Sequence, residues 1–162
     1  VNMGANLTFF SPLNDASLPE ADAYWLPGGY PELHLEQIST NTSMKQALKA
    51  AFEANKPILA ECGGMMALSD SINDQTAFGL LAGKSQIQNK LQGLGSLKAT
   101  LENAEIGAHT FHYGSFETPL VPASQAKSLF GVENICQHGR ITASFLHFYF
   151  ASNPHAAARL FV

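Results

Sequence analysis

A chain of 162 residues, 46% of them hydrophobic and 14% charged, suits one compact domain with its own core, which excludes disorder. Its formal net charge of −4 argues against a nucleic-acid binder, which shows a basic face. No apolar run approaches the roughly 20 residues needed to span a membrane, no secretory signal is visible, and two cysteines, Cys62 and Cys136, are too few for a disulfide framework. The cytoplasm is therefore the expected location. The chain starts at Val1 rather than Met and its last helix stops early at Val162, as expected of a fragment of a longer protein.

The predicted elements alternate strand and helix. Residues 7–10 read as a short strand and residues 11–21, with two prolines, as a loop. Tyr24-Trp25-Leu26 reads as a second strand ending at Pro27-Gly28-Gly29-Tyr30-Pro31. Met44, Ala47, Leu48, Ala51 and Phe52 recur at three-and-four spacing and predict a helix with one apolar stripe. Asn41, Thr42 or Ser43 can cap its start and Asn55 can end it. Residues 57–60 predict a buried strand, and Met65, Met66 and Leu68 a helix just beyond it. The grammar is that of a doubly wound α/β domain. Residues 78–117 are glycine-rich without a helical stripe and predict short strands joined by turns. Residues 141–150 return to strand composition, and Asn153-Pro154 predicts a capped helix start.

Cys62 stands between the buried strand and the helix, in Ala60-Glu61-Cys62-Gly63-Gly64. A sharp strand-to-helix turn pushes the side chain out at the strand's carboxyl end, which is the logic of a nucleophile elbow. The N–H groups from Gly63 onward are then free to stabilise an anion, and the helix start is expected to lower the thiol pKa below about 8.5. The bland alternative is a small buried hydrophobe. Cys136, in the polar stretch Glu133-Asn134-Ile135-Cys136-Gln137-His138, reads as incidental loop sequence.

A cysteine nucleophile needs a proton acceptor, usually histidine. Of six histidines, His147 is best placed, at the end of an apolar run that a strand would deliver to the elbow's edge of the sheet; a histidine among aromatics is also often a satisfied core residue. Gly28 and Gly29 form a second glycine turn at a strand end. Its N–H groups could complete an oxyanion hole, or the glycines could simply serve a tight turn. A zinc site fits poorly, since His109 and His112 fall on opposite faces of a strand. No phosphate-loop lysine motif is present.

Three stretches in the same order, Trp25-Leu26-Pro27-Gly28-Gly29-Tyr30-Pro31-Glu32-Leu33, Ala60-Glu61-Cys62-Gly63-Gly64-Met65-Met66 and Ala143-Ser144-Phe145-Leu146-His147-Phe148-Tyr149-Phe150, resemble the glutamine amidotransferase domain of the cobyrinic acid a,c-diamide synthase family. The resemblance covers nearly the whole chain. It implies a class I glutamine amidotransferase-like fold: a flavodoxin- or Rossmann-like sheet with flanking helices and a strand-rich middle segment. Residues 1–162 would be the glutaminase domain, with an ATP-dependent amido-ligase domain upstream. Cys62 would attack the side-chain amide of glutamine, His147 would take part in proton transfer, and N–H groups at Gly28, Gly29 and Gly63 would hold the oxyanion. No cofactor or metal is implied in this domain; ATP and Mg²⁺ would serve the upstream domain, where a corrinoid carboxylate accepts the ammonia.

The chain departs from the family pattern in places. Many triad amidotransferases carry glutamate two residues after the histidine, where this chain has Tyr149. With no adjacent carboxylate for His147, a Cys–His dyad or a distant third partner is expected. The family's middle motif resembles Gly-His-Glu-Phe-His-Tyr-Ser; here Ala108-His109-Thr110-Phe111-His112-Tyr113-Gly114 places threonine where glutamate is expected. A degenerate interaction module of the same fold, an amidotransferase acting on a different acid, and another cysteine-elbow hydrolase are the competing readings.

Overall fold

The structure, a computed structural model, describes residues 3–128 and 130–162. Strand β1 (Tyr24–Leu26) is followed by a 3-10 turn at Pro31–Leu33 and by helices α1 (Leu35–Thr40) and α2 (Thr42–Glu53). Asn41 separates the two helices. Its side-chain oxygen accepts from the Met44 N–H at 3.1 Å, capping α2, and its amide nitrogen donates to the carbonyls of Pro12 and Asp15. The predicted stripe is the buried one: Met44, Leu48 and Ala51 face the core. Asn55 follows the helix in a left-handed conformation, φ 58°. Helix α1 escaped prediction because it buries a single side chain, Ile38, and so leaves no period to read.

Strand β2 (Ile58–Glu61) is buried along its whole length and leads through Cys62 into α3 (Gly63–Leu68). The glycine-rich middle is indeed strands and turns: β3 (Ser69–Ile72), β4 (Gln75–Thr76), β5 (Leu81–Ile87), β6 (Gly93–Leu101), β7 (Ala104–His112) and β8 (Gly114–Glu117). Then come β9 (Pro122–Ser128), β10 (Gly131–His138), β11 (Ile141–Ser144), β12 (His147–Phe148), a 3-10 turn at Phe150–Ser152 and α4 (Pro154–Arg159). Asn153 caps α4 through Ala156 N–H, as the Asn-Pro pair predicts.

The central sheet has the order β1-β2-β11-β10-β9. Strands β1, β2 and β11 pair parallel, with β1 at the sheet's edge, and β10 and β9 extend the other side by antiparallel pairing. The α/β class predicted from the alternation of strands and helices holds. Two smaller sheets, β12-β7-β6 and β4-β3-β5-β8, flank it. Alternation along β2 divides the core between the two faces. Ile58 and Ala60 pack with Met44, Leu48, Leu68 and Ile141, whereas Leu59 packs with Ile106, Ile135, Leu146 and Leu160.

Two expectations fail here. Residues 7–10 form no strand, because no strand among the described residues pairs with them; Leu7 and Phe9 are exposed, and only Phe10 turns inward, its ring edge-on to Tyr24. Cys136 is not in a loop. It is buried in β10, where a register shift between Ile135 and Cys136 turns both side chains inward.

Candidate active site

Cys62 adopts φ 47° and ψ −111°, a conformation a non-glycine residue rarely holds. Its N–H donates to Ser144 O at 2.7 Å and its carbonyl accepts from Met66 N–H at 3.0 Å, so the turn is anchored on both sides. The two glycines after it are steric requirements. A β-carbon on Gly63 would lie 2.4 Å from the carbonyl oxygen of Gly29, and one on Gly64 would lie 2.1 Å from that of Leu26. Without side chains there, the elbow packs directly on the turn that ends β1, and the two glycine motifs of the sequence become neighbours.

His147 reaches this point by a change of sheet. Strand β11 runs parallel to β2, with Ser144 beside Glu61. The chain then leaves the central sheet, and β12 pairs with β7 instead, His147 opposite His109. The stretch of strand composition over residues 141–150 thus holds two strands in two sheets. The histidine still arrives at the elbow's end: its ring lies against Gly28, where a β-carbon would be 2.4 Å from Cε1. Gly28, Gly29, Cys62 and His147 line a single cavity of about 550 Å³. Gly63 sits behind it, packed on Gly29. Of the other histidines, His109 and His112 also line it. His109 stacks on His147 with ring centroids 4.9 Å apart.

Sequence reasoning missed Glu61. The side chain is only 2% exposed, and its Oε2 lies 3.9 Å from His147 Nδ1. That is too long for a hydrogen bond but close enough to orient the ring. Two donors hold the carboxylate: Phe148 N–H to Oε1 at 2.8 Å and Trp25 Nε1–H to Oε2 at 3.0 Å. Of the two expectations, a dyad or a distant third partner, the geometry fits the second: the carboxylate lies 86 positions away in sequence, in the residue before the cysteine. Burial pushes the Glu61 pKa up, and the two hydrogen bonds oppose that.

A second buried polar cluster adjoins the cavity. His112 Nε2 lies 3.1 Å from Glu133 Oε1, its Nδ1 lies 2.8 Å from Gly114 O, and Thr110 Oγ1 donates to the same Glu133 oxygen at 3.0 Å. Both ring nitrogens of His112 face acceptors, so the ring is fixed between Gly114 O and Glu133 Oε1. Position 110, where the resemblance expects glutamate, thus contacts a carboxylate carried by β10.

The electrostatics overturn one expectation. The Cys62 thiol is raised above its ordinary 9.0, not lowered: burial dominates, and the charges of Glu32, Glu61 and Glu133 add to it, opposed by the Gly63 N–H. Helix α3 has only six residues, and its end does not outweigh burial beside carboxylates. His147 is lowered from 6.5 by burial, with the charges of His109 and His112 adding. The resting pair is therefore a thiol beside a neutral imidazole. Among the described residues no group of three His, Cys, Asp or Glu side chains could hold a metal ion, and no helix is long and apolar enough to cross a membrane.

A buried strand that ends in a strained cysteine turn, facing a histidine across a glycine turn, defines a cysteine-elbow α/β domain. A crystal structure described as a glutamine amidotransferase shares the fold, with a TM-score of 0.62 at 13% identity over 86% of this chain and 77% of that one. The chain belongs to the CobB/CobQ-like glutamine amidotransferase domain family, which matches residues 2–155. Its relatives include a cobyrinate a,c-diamide synthase from Herminiimonas arsenicoxydans, 44% identical over 98% of this chain, and a hydrogenobyrinate a,c-diamide synthase from Stutzerimonas stutzeri, 43% identical over 98%. The chain spans only 38% and 39% of the length of these two proteins.

Proposed function

We propose that this chain is the glutaminase domain of a corrinoid-amidating enzyme and that Cys62 is its nucleophile. The observation that carries the reading is the convergence of Cys62, His147 and the Gly28-Gly29 turn on one cavity. With Nδ1 turned to Glu61, the Nε2 atom of His147 is the one available to the substrate side. The raised thiol and lowered imidazole mean that the proton moves during attack rather than resting on the histidine. Sulfur bonds to the amide carbon of glutamine as His147 takes the thiol proton. N–H groups at Gly29 and Gly63 stabilise the oxyanion. The carbon–nitrogen bond breaks, His147 returns the proton to the leaving nitrogen, and ammonia departs. Water then hydrolyses the γ-glutamyl thioester to glutamate and free thiol.

The relatives' names support a corrinoid acceptor. Ammonia would pass to carboxylates of a cobyrinate-like corrinoid, activated by ATP and Mg²⁺ in an amido-ligase domain upstream. Two free cysteines fit a reducing compartment such as the cytoplasm. The carboxylate at Glu61 argues against a degenerate module, since it stands where a proton-transfer histidine needs an orienting group.

The test is labelling of Cys62 in the full-length protein by the glutamine analogue 6-diazo-5-oxo-L-norleucine, with protection by glutamine and Cys62→Ala as control. Protected, Cys62-specific labelling is the expected result, and its absence in the full-length protein overturns the reading. Glutamine-dependent amidation of cobyrinate against other acids then identifies the acceptor.

A further inference from the structure

Among the described residues, one carboxylate, Glu32, and no lysine or arginine line the cavity around Cys62. Glu32 stands in the Pro31–Leu33 turn, directly after the Gly28-Gly29 segment. The turn is rigid: Leu33 N–H donates to Tyr30 O at 3.1 Å, His34 N–H donates to Pro31 O at 2.9 Å, and Pro31 is buried. Glu32 is half-buried, yet among the described residues no lysine, arginine or histidine pairs with it. A carboxylate that lines the cavity without a cationic partner is free to pair with a cation brought by the ligand.

Resting on the glutaminase reading, we propose that Glu32 is the recognition group for the α-ammonium of the amino-acid amide that Cys62 attacks. The cavity thereby selects a free amino acid over an amide that lacks a nearby cation. Glu32 is anchored on the same loop as the glycine turn, so its backbone position relative to the oxyanion turn is set by that loop.

Recognition is coupled to reactivity. The groups acting on the Cys62 thiol are burial, Glu32, Glu61 and Glu133, which raise it, and the Gly63 N–H, which lowers it. Glu61 is held by Trp25 and Phe148, and Glu133 by His112 and Thr110. Glu32 alone faces the cavity without such partners. A substrate ammonium against Glu32 cancels its charge and eases ionisation of the thiol, so the resting enzyme stays unreactive toward amides without the cation.

The experiment compares rates of Cys62 labelling in the full-length protein by 6-diazo-5-oxo-L-norleucine and by its des-amino counterpart, 6-diazo-5-oxohexanoate. The unsubstituted protein is expected to prefer the amino probe by about tenfold or more. Glu32→Gln is expected to slow labelling by the amino probe and quicken labelling by the des-amino probe, bringing the ratio near one. Glu32→Asp, which keeps the charge, retains part of the preference and controls for folding. An unchanged ratio in Glu32→Gln, or no preference in the unsubstituted protein, overturns the role of Glu32 while the glutaminase reading stands. Failure of both probes to label the unsubstituted protein overturns both.

Discussion

Glu61 Oε2 and His147 Nδ1 lie 3.9 Å apart, and the same carboxylate accepts the N–H of Phe148, the residue after that histidine. One strand end therefore carries both the candidate nucleophile and the group that orients its proton acceptor. Glu61→Gln keeps the shape of the side chain and removes its charge. It is expected to lower kcat for glutamate release about a hundredfold with little change in KM, because Glu61 stands behind His147 and does not line the cavity. A kcat near that of the unsubstituted protein would mean that the carboxylate only serves packing.

The two shifted groups predict opposite pH responses. The raised Cys62 thiol should make iodoacetamide labelling of the resting enzyme keep rising beyond pH 9.0, with no plateau near neutrality. For His147, whose folded-state value is depressed below 6.5, the linked stability is present above 6.5 and lost as pH falls through the folded value. Denaturant midpoints of the unsubstituted protein should therefore fall faster than those of His147→Gln as the pH drops below 6.5. Equal slopes would contradict the depressed imidazole.

Two glycines should respond differently to a single methyl group. Gly28→Ala places a β-carbon 2.4 Å from Cε1 of His147, a side chain at the cavity wall that can swing away. Activity should fall while the melting temperature holds. Gly64→Ala meets the carbonyl of Leu26 at 2.1 Å, where only backbone can move. It should cost about 2–3 kcal/mol of stability, read from urea unfolding.

Glu133 and His112 form a buried pair, each side chain 7% exposed. Glu133→Ala leaves the His112 ring and the Thr110 hydroxyl without their acceptor and should destabilise the domain by about 3 kcal/mol. Gly93→Ala should act in the same direction, since its β-carbon would fall 2.4 Å from both Glu133 Oε1 and His112 Nε2. Unfolding midpoints unchanged in both variants would contradict this.

Local chemistry is what the amino-acid sequence determined. A strand running into Cys62-Gly63-Gly64, a stripe at Met44, Leu48 and Ala51, and caps at Asn41 and Asn153 each depend on neighbours within a few residues, so each could be read in one dimension. The family resemblance added order to these pieces. What only the tertiary structure decided is which distant residues share a space. His147 meets the elbow because the chain leaves β11 after Ser144 and joins β7, a switch that the unbroken apolar run conceals. Glu61 faces His147 because parallel pairing sets Ser144 beside it. The thiol's ionisation also belongs to three dimensions. A helix start beside a cysteine suggests a lowered pKa, but burial, the adjacent Glu61, and Glu32 and Glu133 brought in from separate elements act together and outweigh it. Desolvation and charge depend on what surrounds an atom in space, and sequence neighbours report only a small part of that.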